Sequence, residues 1–497
     1  MSRLAEIILF SLWLGAAPDA GLALWVGSSL ERIGQSDNAG SSATIQLSAA
    51  RGETESFQIA ARSPRDAQVT ALSFTDLQND AGITLRRENV SAYLEHYVWV
   101  STGSPQHTVN RPLGAGWYAD ALLPVAAPEL LAGKNQPFWV DIAVPRDTAP
   151  GVYRGTFTLT TDQSSASGTI ELRVWNFTLP LRPSLRSSFG LRNGAPRAVQ
   201  EELLKNKVDP AIASRSAERD LIDRLGLATT GLGIWSSANI GTCWMSDPPD
   251  PAAISREVAR HQPDLVIYNY SADEIDACGN LNEPLKAWAR NLHSAGVLNL
   301  VTMAPTDALF DDGSGTGRSA VDIWAVLPTM YDRAKDAVAA AQRKGDQVWS
   351  YNALSQDDYS PKWLIDYAPA NYRIQPGFLS ESLGLTGILY WRADFHLGAS
   401  WDEVNNVGFF GNYNAPGEGS LLYMPDGVAP SMRLKWIRDG VDDYEYVELL
   451  KKQGWGNWAL NVARTVGRDW SNWSRDPKAI ESVRTQLGTQ LDHLGGF

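Results

Sequence analysis

Six histidines and two cysteines are all the imidazole and thiol that 497 residues supply. There is no HExxH run and no CxxC pair, so no common zinc pattern is present. No GxGxxG follows an apolar run, which argues against a dinucleotide-binding fold. Beyond the first two dozen residues, no apolar run reaches the roughly 18 residues that a membrane span needs. Basic residues are also in deficit: 43 Lys and Arg face 56 Asp and Glu, for a net charge of −13. Nucleic acid rewards basic patches, so this balance disfavours it as a partner. The absences together point to a chain without metal, cofactor or integral membrane span. Tryptophan, by contrast, is abundant, with 19 residues. An indole buries a large flat area and keeps one N–H donor. It suits a core, which is the ordinary use, and it also suits the wall of a sugar site.

The first residues, "MSRLAEIILFSLWLGAAPDAGLA", read as a secretory leader over 1–23. Arg3 is the positive start, Ile7–Ala17 the apolar run, and "GLA" the small-residue cleavage site, although Glu6 sits awkwardly there. The expectation is an exported protein, periplasmic or extracellular. An oxidising compartment permits a disulfide. Cys243 and Cys278 both lie in loop-like stretches, and spacing alone leaves a bridge between them open.

Residues 24–180 read as β. "ATIQLSAARGETESFQIAARS", "NQPFWVDIAVP", "GVYRGTFTLTT" and "GTIELRVWNFTLP" alternate apolar and polar positions between Gly and Pro turns. Short strands at this spacing predict an antiparallel β-sandwich. "LPLRPSLRSS" (179–188) reads as a linker. From residue 181 the rhythm changes. Apolar runs "SSFGL", "GLATTGLGIW", "DLVIYNY", "VLNLVTMAP", "VDIWAVLP", "DQVWSYNA", "KWLID" and "TGILYWRA" alternate with helical stretches such as "NEPLKAWARNLHSAG". This predicts a (β/α)8 barrel of the TIM type over 181–497, ending in helices. In "SMRLKWIRDGVDDYEYVELLKKQG" the apolar period is helical, and its acids and arginines read as a structural network.

In such a barrel, catalytic residues end the strands. "YNYSADEIDACG" (269–280) closes a run with adjacent carboxylates, Asp273 and Glu274. Strand neighbours point to opposite faces, so both can face a pocket only if the backbone turns there, as Ser271–Ala272 permits. A negative Asp273 and burial would raise the Glu274 pKa toward use as a general acid. Trp349, Tyr351, Trp391, Asp322 and Asp394 also flank strand-like runs and are candidates for substrate binding. Carboxylates among aromatic rings suit glycoside cleavage. A second pair, Asp402–Glu403, follows a run that is less strand-like.

Several stretches are similar to glycoside hydrolase family 123 and the broader group called domain of unknown function 4091. They are "ARGETESFQIA", "LLPVAAPELLAGKNQPFWVDIAVPRDTAPGVYRGTFTL", "YNYSADEID", "GILYW", "GEGSLLYMPDG" and "SMRLKWIRDGVDDYEYVELL". The resemblance implies a sandwich followed by a catalytic barrel. It also implies release of β-linked N-acetylhexosamine, N-acetylgalactosamine foremost, by retaining, substrate-assisted catalysis. Glu274 would then be the acid and base, Asp273 would orient the 2-acetamido group, and Tyr351 is the candidate for the tyrosine that contacts it. One departure is Ile275–Asp276, where relatives commonly continue with proline. Two other readings stay open. One is a glycosidase for sugars without the acetamido group, pairing Glu274 with Asp322 or Asp394. The other is a non-catalytic glycan-binding protein on the same fold.

Overall fold

A computed structural model describes residues 21–395, 400–411, 413–424 and 427–496. The leader expected over 1–23 lies almost wholly outside the described residues. Among the described residues, no helix is long and apolar enough to cross a membrane.

The N-terminal part consists of two sheets packed face to face. The five-stranded sheet runs, in spatial order, Ala23–Ser28, Thr54–Arg62, Asn135–Ala143, Val90–Val100, Gly116–Pro124, all antiparallel. The second sheet centres on Thr44–Arg51, Ser165–Thr178, Gly151–Thr161 and Ala67–Phe74. Its first pair is parallel, so it is not antiparallel throughout. The period-2 alternation of strands explains the sequence pattern. In Asn135–Ala143, Phe138, Val140 and Ile142 enter the core between the sheets. Trp139 instead joins the core shared with the C-terminal part, and Asp141 turns toward its cations. The five-stranded sheet is therefore covered on both faces, and Thr54–Arg62 is buried over six consecutive residues.

The C-terminal part is a nearly closed barrel of seven parallel strands. In order around it they are Arg186–Phe189, Gly387–Tyr390, Gln347–Asn352, Ile323–Val326, Leu298–Thr302, Val266–Asp273 and Thr229–Gly231. Residues 209–211 fill the gap between the first and last of these. Phe189 N–H donates to Asp209 O, Ala211 N–H to Phe189 O, and Gly231 N–H to Ala211 O. Pro210 has no N–H, so this segment makes only an isolated bridge. The run "KWLID" is not a strand but buried coil. Lys362 pairs with Asp357 there, and the Asp366 carboxylate accepts from Ser104 of the N-terminal part. Between Leu298–Thr302 and Ile323–Val326 only the 3-10 turn Asp307–Leu309 intervenes where a helix would be regular.

The helix Met432–Lys452 joins the two parts. Ser431 caps it, accepting from Leu434 N–H. It is buried on nearly every side, so its charged residues need partners. Arg433 forks onto Asp120 at 2.9 Å. Lys435 and Arg438 meet Asp141 at 3.0 and 3.2 Å. On the barrel side, Asp443 receives Arg373 at 2.7 Å and Lys207 pairs with Asp442. Burial pushes the Asp141 carboxyl up, but Arg438 and Lys435 outweigh it and hold it well below its usual range.

Arg433→Met would strand a buried Asp120, and breaking such a pair costs about 3–5 kcal/mol. Urea unfolding should show that loss for the single variant and a much smaller one for Arg433→Met combined with Asp120→Leu. Equal losses for the two would show that the pair is not what Arg433 contributes.

Candidate active site

Val266–Asp273 supplies the adjacent carboxylates at its C-terminal end, on the barrel face where the strands exit. Two backbone features let both side chains serve one mouth. The ladder to Leu298–Thr302 slips between Tyr270 and Ala272, leaving Ser271 as the extra residue of a bulge. Glu274 then takes φ +50°, the left-handed region that costs a non-glycine residue roughly 1–2 kcal/mol. The short strand Ala238–Asn239 pairs alongside, Asn239 opposite Asp273.

The segment after Glu274 is pinned at three points. Ile275 N–H reaches Thr302 O, and Asp276 accepts Ala304 N–H at 2.9 Å and pairs with Arg333 at 3.0 Å. A disulfide joins Cys278 to Cys243 on the neighbouring loop. Asp276 is thus an anchor of this loop.

The two acids have different surroundings. Asp273 accepts from Tyr270 Oη at 2.7 Å, and that hydroxyl also meets Thr302 Oγ1 at 2.6 Å. Burial raises the Asp273 pKa, against the pull of the Tyr270 and Thr302 hydroxyls. Glu274 has no hydrogen-bond partner among the described residues. Its pKa is pushed up to about 7, first by burial, then by Asp273 and Asp276. One carboxyl is thus held by hydroxyl donors, while the other is half-exposed, unpartnered and poised to hold a proton near neutrality.

Tyr351, on Gln347–Asn352, is buried beside both acids. Burial and the negative charges of Asp273, Glu274 and Glu418 raise its pKa well above that of a free phenol, so it stays a donor. Trp391 is half-buried at the exit of Gly387–Tyr390, and its indole N–H donates to Glu418 at 2.5 Å.

Three candidates lie elsewhere. Trp349 belongs to the barrel core: its ring stands edge-on to Tyr268 at 6.0 Å, its N–H bonds Gln347, and Gly387 leaves it room. Asp322 precedes Ile323–Val326 and so sits at the opposite end of the barrel, paired with His293 and Arg318. Asp394 is at the correct end but buried, with Arg392 at 2.5 Å and Arg192 N–H at 3.0 Å. Asp402–Glu403 lies on the 3-10 turn Trp401–Asn405, outside any strand end. A cleft of about 540 Å³ between the two parts is lined by Glu53, Asp141, Lys207, Lys435 and Arg438, which are ion-paired. It is an electrostatic seam and not part of the mouth. Among the described residues, no group of three or more His, Cys, Asp or Glu could hold a metal ion.

Sequence reasoning passed over three residues here. Tyr270 is the partner of Asp273. Trp235 is exposed and stands edge-on to Tyr270 at 6.0 Å. Glu418 is fully buried and pushed up to about 7 by burial. It accepts from Trp391 and from Leu354 N–H. The signal for Glu418 was "GEG": Gly417 and Gly419 take φ +77° and +73°, and a Cβ at Gly419 would collide with the Trp391 ring.

Residues 31–161 match the family model described as the glycoside hydrolase 123 N-terminal domain. Among solved structures, a family 123 glycoside hydrolase from Clostridium perfringens, described in terms of glycolipid glycan hydrolysis, aligns over 96% of this chain and 98% of its own. Its TM-score is 0.66 at 14% identity. At that identity the likeness is one of fold. β-Glucuronidases from Parabacteroides merdae and Bacteroides uniformis align over 86% and 83% of this chain and 51% of their own, at 9% and 10% identity. Their TM-scores of 0.30 carry no argument. No curated protein matches the chain.

The geometry sets an expectation for titration. Carboxyl carbon NMR should find Glu274 titrating near pH 7, against an ordinary 4.5. Asp273→Asn and Asp276→Asn should each lower that midpoint by removing a negative neighbour. A Glu274 midpoint that stays put in both variants would leave burial as its sole cause.

Proposed function

We propose that this chain, a glycoside hydrolase of family 123 by its N-terminal domain and its fold, releases β-linked N-acetylhexosamine, N-acetylgalactosamine foremost, with retention of the anomer. The carrying observation is the unequal pair at one strand end, with Asp273 held by Tyr270 and Glu274 open and raised to about 7. The glycan of a glycolipid is the substrate class we favour, by analogy with the fold's Clostridium relative.

In this reading no protein nucleophile is needed. Glu274 gives its proton to the glycosidic oxygen as the bond to the anomeric carbon breaks. The carbonyl oxygen of the substrate's own 2-acetamido group attacks that carbon and closes an oxazolinium ring. Asp273 accepts the acetamido N–H, holds the group in line and offsets the positive charge of the ring. The Tyr351 hydroxyl, a donor throughout, meets the acetamido oxygen. Glu274, now a carboxylate, takes a proton from water, which opens the ring from the face the leaving group left. Trp391 offers a ring face to the sugar, with Glu418 fixing its angle. Asp322 and Asp394 are held by Arg and His partners at positions that do not suit a second catalytic carboxylate, which speaks against the reading with a direct nucleophile.

Counting 209–211 as an eighth strand makes the C-terminal part a (β/α)8 barrel. We take 24–180 as the sandwich and 181–497 as the barrel with its terminal helices. We also take the chain to be exported after loss of 1–23.

Glu274→Gln should lower turnover about 10²–10⁴-fold on a natural glycan, and less on an aryl glycoside whose leaving group needs little protonation. Wild-type rates in that variant would remove Glu274 from the role. The acid must be protonated at the start, so kcat/KM should fall as pH rises through about 7. Aryl β-N-acetylgalactosaminide should be cleaved with retention, the matching galactoside should be nearly inert, and a thiazoline analogue should inhibit. Asp273→Asn should weaken both turnover and that inhibition. Equal rates on the two sugars, or an inverted product by NMR, would overturn the substrate-assisted route.

A further inference from the structure

Of the fifteen exposed large apolar side chains among the described residues, six lie on barrel segments at the end where the strands exit, and four more lie on the sandwich stretch 99–117 beside them. The loop after Thr229–Gly231 carries Trp235, Ile240 and Trp244, the last two at 60% and 58% exposure. Ile212, which follows the 209–211 segment, neighbours Gly233 of that loop and extends the patch. The loop after Gly387–Tyr390 adds Val407, at 87% exposure, and Phe409. The sandwich contributes too. Its loop 101–115 is tied to the barrel loop after Gln347–Asn352 through Thr108 to Asp358, Asn110 to Ser360 and Ser104 to Asp366. That loop exposes Leu113 at 60%. Beside it, Trp99 and Trp117 stand opposite one another on adjacent strands, rings 5.2 Å apart and both exposed.

An apolar side chain left in water is ordinary when scattered, but a cluster around one mouth marks a contact surface. The composition chooses the partner. A sugar ring stacks on flat indoles, and Trp235 beside Tyr270 can serve that. Branched and aliphatic chains such as Ile212, Ile240, Leu113 and Val407 give a pyranose no flat face, but they suit hydrocarbon. Indoles at the border of such a patch suit the headgroup level. A chain of net charge −13 is not drawn to an anionic surface. We propose that this rim docks the catalytic face on a lipid surface of low charge and so holds the mouth over glycans that project from it. The proposal rests on the glycosidase reading above and adds the surface on which the substrate is presented.

The test uses the full chain and phosphatidylcholine vesicles, bare, doped with a neutral glycolipid, or doped with phosphatidylglycerol. The wild type should co-sediment with the bare and glycolipid-bearing vesicles and bind phosphatidylglycerol vesicles more weakly. Leu113→Ser, Ile240→Ser and Trp244→Ser combined should weaken vesicle binding ~10-fold or more, given the apolar area lost. With an unchanged unfolding midpoint, this variant should keep its rate on a soluble aryl glycoside and lose rate on vesicle-borne glycolipid. Equal vesicle binding by wild type and variant, or no pelleting of the wild type with any vesicle, would overturn docking. So would displacement of the bound protein by soluble oligosaccharide, or self-association that the triple variant abolishes. An inert aryl glycoside with intact vesicle binding would instead fell the glycosidase reading and leave docking standing.

Discussion

The guanidinium of Arg433 clamped on Asp120 is the contact through which the two halves of the chain agree on one geometry. Both groups are fully buried, so neither has water to fall back on. Taking such charges out of water costs several kcal/mol per ion, which only close pairing offsets. Arg433 also donates to Gly417 O and Ser420 O, and so holds both ends of the turn that carries Glu418. Glu418 in turn fixes the Trp391 indole. A sandwich aspartate is therefore connected, through one arginine and one turn, to an aromatic ring at the barrel mouth. Two further sandwich acids, Glu53 and Glu55, are likewise held from the C-terminal part, both by Arg484.

At the mouth the governing constraint is steric. Adjacent residues of a regular strand face opposite ways, so a neighbouring Asp and Glu can share one pocket only where the strand stops being regular. The bulge at Ser271 and the left-handed Glu274 provide this, and strained backbone persists only where its surroundings over-determine it. Here they do: Asp276 is bound to the next strand exit, and the disulfide closes the loop four residues beyond Glu274.

Alternation made the sandwich legible where one strand face meets water, as in Ala67–Phe74 and Ser165–Thr178, and continuous apolar runs made the barrel strands legible because both their faces are buried. The same signal failed where burial did not come from a strand. "KWLID" is apolar because it lies under the sandwich loop, and 209–211 was invisible because three residues around a proline carry no period. Asp273 and Glu274 stood out as candidates because carboxylates are costly at the end of a buried run. Asp322, Asp394 and Trp349 became candidates only because they flank apolar runs. What separates them is which end of the strand they occupy and who binds them, and both depend on residues distant in sequence: His293 for Asp322, Arg192 for Asp394, Gly387 for Trp349. Glu418 sits beyond any strand, in a turn whose place is set by Arg433.

A raised carboxyl pKa does not by itself mark the catalytic acid in this chain. Burial pushes Glu95 and Glu381 to about 8, and Glu418 and Asp442 to about 7, the same range as Glu274. Glu95 is fully buried, with both oxygens unpartnered among the described residues, and is closed to a substrate. Glu381 has Lys451, Asp442 has Lys207, and Glu418 has two N–H donors. A general acid needs a proton near neutrality and a path to the oxygen that receives it. Glu274 joins that pKa to an open carboxyl at a strand exit, unpartnered among the described residues. In the proposed role, the same desolvation that stores cost elsewhere in the fold would serve catalysis there, because the backbone has turned the side chain outward.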